Sequence, residues 1–306
     1  MKINDVLNEF IKEQVVRGST EATILHYKKH IGFFVKYFGN LDVSCINYNV
    51  YQDYIIYLKN KNKESGVKKG DVKKLSGRTV KTYASALKTF LSFCYLNNFI
   101  SVDIAQQIKM PKYKKKNIII LNKQQINSLI YSQNQFCFTG IRNLLIISLM
   151  LDCGLRLIEV TRLRLCDIFI NEGLINADGK GQKERLVPMS ETTQHYFRIY
   201  IDSVEKLLNR SLFSAEILLK KTNGNDITKN SIVLIFKRLQ KKLGFNVHPH
   251  LLRHTFATLF LLNGGDVMHL QAILGHTTLN MVLNYVHLAN QLSLSDQAKY
   301  SPLSNL

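Results

Sequence analysis

The side chains best suited to chemistry lie together near the C-terminal end of the chain. His250, Arg253 and His254 share one short motif, His276 follows a Leu-Gly pair, and Tyr285 comes nine residues later. Histidine titrates near neutral pH, arginine carries a permanent planar cation, and a tyrosine hydroxyl can act as a nucleophile. The stretch therefore supplies cations, a proton donor and a candidate nucleophile.

Two predicted helices must position these residues. A helix that begins near Pro249 would carry His250 and Arg253 three residues apart on one surface. The sequence Asn263-Gly264-Gly265 is a typical helix end. We expect the buried face of this helix to consist of Leu252, Phe256, Leu259 and Phe260.

The second helix is predicted to follow His276, with Thr277 or Thr278 as its N-cap. Tyr285 lies roughly 100° or more around this helix from its apolar stripe. A tyrosine that serves packing alone would more often lie on the stripe, so we expect Tyr285 to face another partner. The predicted stripe, with spacing i, i+3, i+4 and i+7, is Leu279, Val282, Leu283 and Val286.

These motifs resemble the C-terminal signature of the tyrosine recombinases, the phage integrase family. The sequence around them is especially similar to that of the Xer branch. The resemblance implies two further positions upstream. The sequence CGLRLIE at residues 153–159 resembles the first-arginine motif of the family, with Arg156 as the match. The sequence DGKGQKERLVP at residues 178–188 resembles the hairpin that carries the catalytic lysine, with Lys180 the better match and Lys183 the competing candidate.

The resemblance also implies a reaction. A phenol that attacks a DNA phosphodiester builds negative charge on the non-bridging oxygens, and guanidinium groups bind such oxygens with two hydrogen bonds each. No cofactor and no metal ion is expected, because no Asp/Glu cluster with metal-ligand spacing lies among the motifs. The implied catalytic residues are Arg156 and Arg253 on the phosphate, His250 and His276 on the phosphate and the phenol proton, Lys180 on the departing 5′ oxygen, and Tyr285 as nucleophile.

Other interpretations of single residues stay open at this level. Arg156 could form an ion pair with Glu159 that stabilises a turn, and that pair could also orient the guanidinium. His254 resembles a frequent neighbour of the second arginine in the family, and it could equally be packed or cap a helix. Cys153 stands where a small hydroxyl residue is commoner in the family. At the level of the whole chain, the alternatives are a type IB topoisomerase and a non-catalytic DNA-binding protein on the same fold.

The overall composition favours a nucleic-acid partner. A formal charge of +19 exceeds what solubility requires and implies a polyanion. No 18-residue apolar run or basic amphipathic anchor suggests a membrane. The N-terminus lacks a secretory pattern, and the odd number of cysteines without a CxxC pair favours neither disulfides nor a zinc site. The expected location is a reducing cytoplasm.

The chain is predicted to be mainly α-helical with a small β-sheet. We expect a helical domain over residues 1–110, a basic linker over 111–117, and a mixed α/β domain over 118–306. The resemblance implies that the first is a SAM-like DNA-binding domain and that the second is the catalytic domain with a docking tail. Short strands are predicted over residues 167–170, 174–177 and 185–188, where the pattern changes to period two. In the family, such a tail docks on the next protomer, which implies a homo-oligomer on double-stranded DNA, a tetrameric synapse, and scope for a second recombinase as partner.

Lysine-rich segments are the candidates for DNA contact. A run of lysines is usually a solvated surface, but these are nearly all of one sign and favour phosphate contacts. Such contacts position a protein without reading sequence. The candidate DNA-binding residues are Lys73 and Lys74 before a predicted helix, Lys112 and Lys114 in the linker, and Lys237, Arg238 and Lys241 in a predicted helix over residues 229–243.

Overall fold

The protein is mainly helical and contains one three-stranded antiparallel sheet, which confirms the predicted fold class. The chain divides into two compact units, residues 1–116 and 117–306. No helix among the described residues is both long and apolar enough to cross a membrane. The computed structural model describes residues 1–39, 41–63, 73–113, 119–178, 184–276 and 278–293.

Helices form the described part of the N-terminal unit, and their core is rich in aromatic rings. Phe10 meets Phe90 edge to face, with ring centroids 5.6 Å apart. The first helix buries Gln14, whereas Val15, one residue before the helix ends, is 57% exposed. The helices are α1 (Ile3–Val16), α2 (Glu21–Phe38), α3 (Tyr48–Asn60), α4 (Gly77–Leu96) and α5 (Ile104–Gln107).

Side-chain caps explain where several of these helices begin. Thr20, Asn47 and Ser76 each accept a hydrogen bond from the backbone N–H three residues later. Such caps satisfy donors that the first helical turn leaves unpaired. The caps therefore explain why α2, α3 and α4 begin at Glu21, Tyr48 and Gly77.

The C-terminal unit is built around an apolar helix, α7, which packs against α9 and α11. Six of its buried side chains belong to Leu, Ile or Met, and most of them join the largest apolar cluster of the unit. The helices are α6 (Lys123–Tyr131), α7 (Phe138–Leu151), α8 (Leu157–Arg162), α9 (Glu191–Leu208), α10 (Lys229–Leu243), α11 (Pro249–Leu262), α12 (Val267–Leu274) and α13 (Asn280–Ser293).

The sheet carries β1 (Ile168–Phe169), β2 (Leu174–Asp178) and β3 (Glu184–Pro188), in that order. Ile175 pairs with Val187, and both are fully buried. Because side chains alternate along a strand, Arg185 lies on the same face of β3 as Val187 and so points inward. The predicted short strands are confirmed, and the alternation of β3 directs one cation into the unit.

The segment before α6 forms no strand in its described part, residues 119–121. Leu121 is 2% exposed, and its backbone N–H donates to the hydroxyl of Thr255 at 3.0 Å. The contact ties the start of this unit to α11 through one hydrogen bond and one buried side chain.

The buried faces of α11 and α13 differ from those predicted. On α11 only Leu252 of the expected stripe is fully buried, because α7, α12 and α13 cover the helix from several sides. Leu279, one residue before α13, is 41% exposed, whereas Tyr285 on α13 is 5% exposed. The prediction that Tyr285 lies away from the buried face was wrong: α13 packs on α11 through Val282, Tyr285 and Ala289, which are spaced i, i+3 and i+7.

Candidate active site

Arg156 lies at the N-terminus of α8, directly after a sharp turn. Its Nη1 donates to Glu159 Oε1 at 2.7 Å, and its backbone N–H donates to Glu159 Oε2 at 2.7 Å. Its Nη2 donates to the carbonyl oxygen of Gly275 at 3.2 Å. The ion pair expected from the sequence is therefore present, and it aims the guanidinium at the turn between α12 and α13.

Glu159 binds a second arginine that the sequence interpretation did not single out. Arg185 Nη1 and Nη2 donate to the two oxygens of Glu159 at 3.0 and 2.9 Å, and its Nε donates to Ile273 O at 2.6 Å. Burial tends to raise the pKa of Glu159, but the hydrogen bonds from Arg185 and Arg156 outweigh burial and hold that pKa below its usual value. One buried carboxylate thus joins α8, β3 and the end of α12.

Glu159→Gln should destabilise the C-terminal unit by about 3–5 kcal/mol, because it removes the charge that two buried or half-buried guanidinium groups share. Urea unfolding, with amide hydrogen exchange followed in α8, measures the loss. Glu172→Gln, at an exposed turn position, is the matched control and should change little. Equal unfolding midpoints for Glu159→Gln and the parent would contradict the assignment.

Arg253 is the most buried cation of the group, with 4% of its surface exposed. Its Nη1 donates to the carbonyl of Gly154, and its Nη2 donates to Leu274 O at 2.7 Å and to His276 Nε2 at 3.2 Å. Burial, followed by the charge of Arg156, lowers the pKa of Arg253 to about 10, so the group stays charged at neutral pH.

The turns whose carbonyl groups accept hydrogen bonds from Arg253 and Arg156 each contain a glycine, Gly154 and Gly275. Gly275 has φ +60°, and a Cβ there would lie 3.0 Å from Cδ of Arg185. Gly154 has φ +63°, and a Cβ there would lie 2.4 Å from the ring of Phe256. Both positions combine a left-handed backbone with a crowded neighbour, which favours glycine. The turns that present the carbonyls of Gly154 and Gly275 to arginine therefore cannot accept a side chain without movement.

His276 lies between the arginines and the tyrosine ring. Its Nδ1 is buried without a hydrogen-bond partner among the described residues. Burial and the charges of Arg253 and Arg156 lower the pKa of His276 to about 4. The ring stacks on that of Tyr285, with centroids 6.4 Å apart and planes at 13°. A neutral imidazole therefore lies beside the candidate nucleophile.

Tyr285 reaches the same cluster from α13. Its hydroxyl shares a 2.8 Å hydrogen bond with Nδ1 of His254. Burial raises the pKa of the Tyr285 hydroxyl, and the positive charges of Arg253 and Arg156 partly offset that rise. His254, for which packing and capping were both open, is thus the hydrogen-bond partner of the phenol.

His250 lies on the exposed side of α11, four residues before His254. Burial of part of its ring, together with the charges of Arg253, Lys229 and Arg156, lowers its pKa. The neighbouring His248 caps α11, since its Nδ1 accepts from Leu251 N at 3.2 Å. The structure therefore keeps His250 near the arginines, while His248 has a structural role as the cap of α11.

The C-terminal unit should lose stability as the pH falls from about 6.5 to about 4. In the folded chain the pKa values of His254 and His276 are lowered from 6.5 to about 4. The unfolded chain therefore binds more protons in this window, so stability is full above pH 6.5 and falls as acid is added. Thermal midpoints measured between pH 7 and 5, above the range in which carboxylates titrate, report the histidine contribution.

His269→Asn is the control for this pH dependence, because the His269 side chain is 82% exposed. It should leave the pH profile unchanged, whereas His254→Asn should flatten it. A parent midpoint that stays constant from pH 7 to 5 would refute the prediction.

A scan against family models matches the phage integrase family over residues 120–291, more than half of the chain. The chain belongs to the phage integrase family. The matched segment includes Arg156, Arg253, His276 and Tyr285, so the cluster described above lies within the family domain. Tyrosine recombinases are thus the class to which this protein belongs.

Individual tyrosine recombinases are similar to this protein over most of the chain. The tyrosine recombinase XerD of Listeria innocua is 26% identical over 304 residues, covering 97% of this chain and 98% of the relative. The tyrosine recombinase XerC of Chlamydia muridarum is 32% identical over 219 residues, covering 71% and 69%. The protein is therefore a tyrosine-type site-specific DNA recombinase of the Xer-like branch.

Solved structures show the same fold. The Tn1549 transposon integrase in complex with transposon right end DNA aligns with a TM-score of 0.75 at 19% identity, covering 96% of this chain and 99% of that one. The XerH site-specific recombinase bound to palindromic difH substrate aligns with a TM-score of 0.71 at 20% identity, covering 96% and 84%. At these identities the likeness concerns the fold.

Some predicted site residues of the recombinase lie outside the described residues. Lys180 and Lys183 fall between Asp178 and Glu184, which pair at the ends of β2 and β3. Lys114 also falls outside. Among the described residues, no group of three or more His, Cys, Asp or Glu side chains could hold a metal ion.

The remaining DNA-binding candidates are described and exposed. Lys73 and Lys74 precede α4, where Lys74 Nζ donates to Asn60 Oδ1 at 3.3 Å. Lys112 is also exposed in the N-terminal unit. On α10, helical spacing gives Lys237, Arg238 and Lys241 a shared exposed face, opposite buried side chains such as Ile232 and Phe236.

Arg185 is the site residue that the sequence interpretation missed. The sequence predicts Arg185 only as part of a strand. Because side chains alternate along a strand, its position two residues before Val187 indicates that it points inward. A buried cation in a short strand needs an acidic partner, and Glu159 was the acidic residue already noted in the first-arginine motif. Combining the two observations would have suggested the pair.

Proposed function

We propose that this recombinase cuts DNA with Tyr285 and rejoins it through a 3′-phosphotyrosyl intermediate. The observation that carries the proposal is the convergence of Arg156, Arg253 and His276 on one turn, with the Tyr285 ring stacked against that histidine. The four side chains come from the start of α8, from α11, from the α12–α13 turn and from α13. A site assembled from four separate elements around cations and one phenol suits attack on an anion.

The two guanidinium groups would bind the non-bridging oxygens of the scissile phosphate. Arg156 Nη2 and Arg253 Nη2 donate to the carbonyls of Gly275 and Leu274, at 3.2 and 2.7 Å. Phosphate oxygens are stronger acceptors than carbonyl oxygens, and they carry the charge that grows in the transition state. His250 and His276 would add hydrogen bonds to the same phosphate.

The bond changes of the reaction balance without a cofactor. The Tyr285 oxygen gives up its proton to a histidine of the site and forms a bond to phosphorus. At the same time the bond from phosphorus to the 5′ oxygen breaks, and Lys180 would protonate the 5′ oxygen. The phosphotyrosyl bond retains the energy of the broken linkage. A 5′ hydroxyl from a second DNA strand then reverses the step, which exchanges strands without net hydrolysis.

Contacts outside the site would hold double-stranded DNA. The exposed basic face of α10, formed by Lys237, Arg238 and Lys241, and the exposed Lys73, Lys74 and Lys112 can neutralise phosphates. Strand exchange needs two duplexes cut on both strands, so we infer a homo-oligomer on DNA that reaches a tetrameric synapse. Its relatives include both XerC-type and XerD-type recombinases, which leaves room for a second recombinase in that synapse.

Covalent capture tests the proposal without knowledge of the target site. The purified chain is incubated with short duplexes that have random central sequences and random single nicks, so that a cut near a nick releases a fragment and traps the adduct. Complexes that survive detergent are digested with nuclease and protease, and mass spectrometry locates the nucleotide on the protein. The captured DNA is sequenced.

The expected result is a nucleotide on the peptide that contains Tyr285, together with captured DNA that converges on one sequence. No adduct, or an adduct on another residue, would overturn the proposal. Adducts on Tyr285 without any common DNA sequence would identify a topoisomerase-like activity instead.

A further inference from the structure

The hydroxyl of Tyr285 has one hydrogen-bond partner within the described ranges, and that partner is His254. Nδ1 of His254 lies 2.8 Å from the hydroxyl oxygen. His254 follows Arg253 directly on α11, and the hydrogen bond links α11 to α13. The nucleophile is therefore held by a ring nitrogen that can accept its proton.

The other two histidines of the site are placed differently. Arg253 Nη2 donates to His276 Nε2 at 3.2 Å, and a guanidinium can only donate. Nε2 is therefore the unprotonated nitrogen of His276, and its acceptor capacity is already used. His250 is exposed and forms no hydrogen bond with a described residue. Neither ring is bonded to the Tyr285 hydroxyl.

We propose that His254 is the catalytic proton acceptor for Tyr285. This inference rests on the proposed function of Tyr285 as nucleophile. As the hydroxyl oxygen bonds to phosphorus, its proton passes to Nδ1 of His254. In the rejoining step the phenol leaves phosphorus and takes the proton back from His254, so that no proton is gained or lost over the cycle.

The charges around His254 are consistent with this role. Burial is the main cause that lowers the pKa of His254 to about 4, and His250, His248 and Arg253 on the same helix lower it further. From α13 the facing group is Tyr285, whose ring also meets His276. The imidazole is therefore neutral at physiological pH, and a bound phosphodiester adds a negative charge that raises its basicity during the reaction.

The test uses single-turnover formation of the covalent complex on a nicked duplex that the parent chain captures. In His254→Asn the side-chain amide can still hydrogen-bond the phenol but cannot take up its proton. We expect a loss on the order of 10²-fold or more near pH 7. The rate of the variant should then rise about tenfold per pH unit up to pH 9, because the ionised phenol becomes more abundant, while the parent changes much less.

A matched exchange at an exposed ring, His269→Asn, should keep the parent rate and the parent pH profile. Replacing Tyr285 by 2,3-difluorotyrosine, whose phenol is more acidic, should restore part of the rate of His254→Asn. His254→Gln is the second variant if His254→Asn does not fold, and circular dichroism and DNA affinity establish which variant is intact.

Parent-like rates in an intact His254 variant would overturn the inference. So would a loss that is the same at every pH, since that result describes a structural role. If the parent chain itself forms no adduct, the proposed function fails first. A parent adduct with an unaffected His254 variant removes only the proton-acceptor role.

Discussion

Tyr285→Phe should abolish the covalent protein–DNA complex while DNA affinity stays close to that of the parent. The exchange removes one oxygen, so the ring keeps its buried place on α13 and its stacking on His276. The lost hydrogen bond to His254 should cost about 1 kcal/mol of folding stability, which leaves the fold intact. Without the oxygen no phosphotyrosyl bond can form, so capture should fall to background.

Detergent-resistant capture and gel-shift affinity, measured on the same duplexes, separate these effects. Tyr131→Phe is the matched control, because Tyr131 is 80% exposed and removed from the cluster. It should be captured like the parent. If Tyr285→Phe is also captured like the parent, another group is the nucleophile, and if neither chain is captured, the protein binds DNA without cutting it.

Arg253→Lys should slow capture by about 10²–10³-fold, the usual loss when one donor to a charged transition state is removed. The lysine keeps the charge, but a single ammonium cannot replace the planar fork that reaches Gly154 O, Leu274 O and His276 Nε2 together. At least one carbonyl then stays buried without a donor, which should cost about 1–3 kcal/mol of stability.

The same exchange at Arg198, an exposed position on α9, is the control and should leave rate and stability near the parent values. The slowing should appear in the maximal single-turnover rate at saturating DNA as well as in affinity. An Arg253→Lys chain that cuts at the parent rate would show that the charge alone, without the fork, is sufficient.

Local sequence signals predicted the helices and strands well where a single stretch determines them. The bounds of α10 agree with the predicted 229–243, since Thr228 caps its start and Gly244 ends it. The strands β2 and β3 follow from alternation between two turns. In each case the cap, the period or the turn residue lies within the element itself.

Burial that depends on several neighbours could not be predicted in this way. The expected stripe on α11 assumed one covered face, whereas three helices cover it, and Thr255 and Thr258 are fully buried as a result. The predicted apolar stripe of α13 starts at Leu279, which is exposed, and a stripe with that start puts Tyr285 away from the core. The direction from which α11 approaches α13 is not encoded in the periodicity of either helix.

The site shows the same division between local and tertiary information. Motifs identified Arg156, His250, Arg253, His276 and Tyr285, and the pair of Arg156 with Glu159 follows from their spacing. The link from Glu159 to Arg185 and the bond from His254 to Tyr285 join segments 26 and 31 residues apart, which only the folded chain brings together. The catalytic roles of these residues, including that of Lys180, stay predictions.

His254 and Tyr285, which share a hydrogen bond, lie on helices α11 and α13 of the same chain. Because α11 and α13 pack within one chain, the tyrosine lies beside the arginine of its own subunit. If Tyr285 is the nucleophile, as proposed, each subunit of an assembly would cut with its own phenol and its own guanidinium groups, and a subunit without its phenol would not borrow one from a neighbour that lacks its guanidinium. Mixed assemblies of two such defective chains should therefore show no complementation.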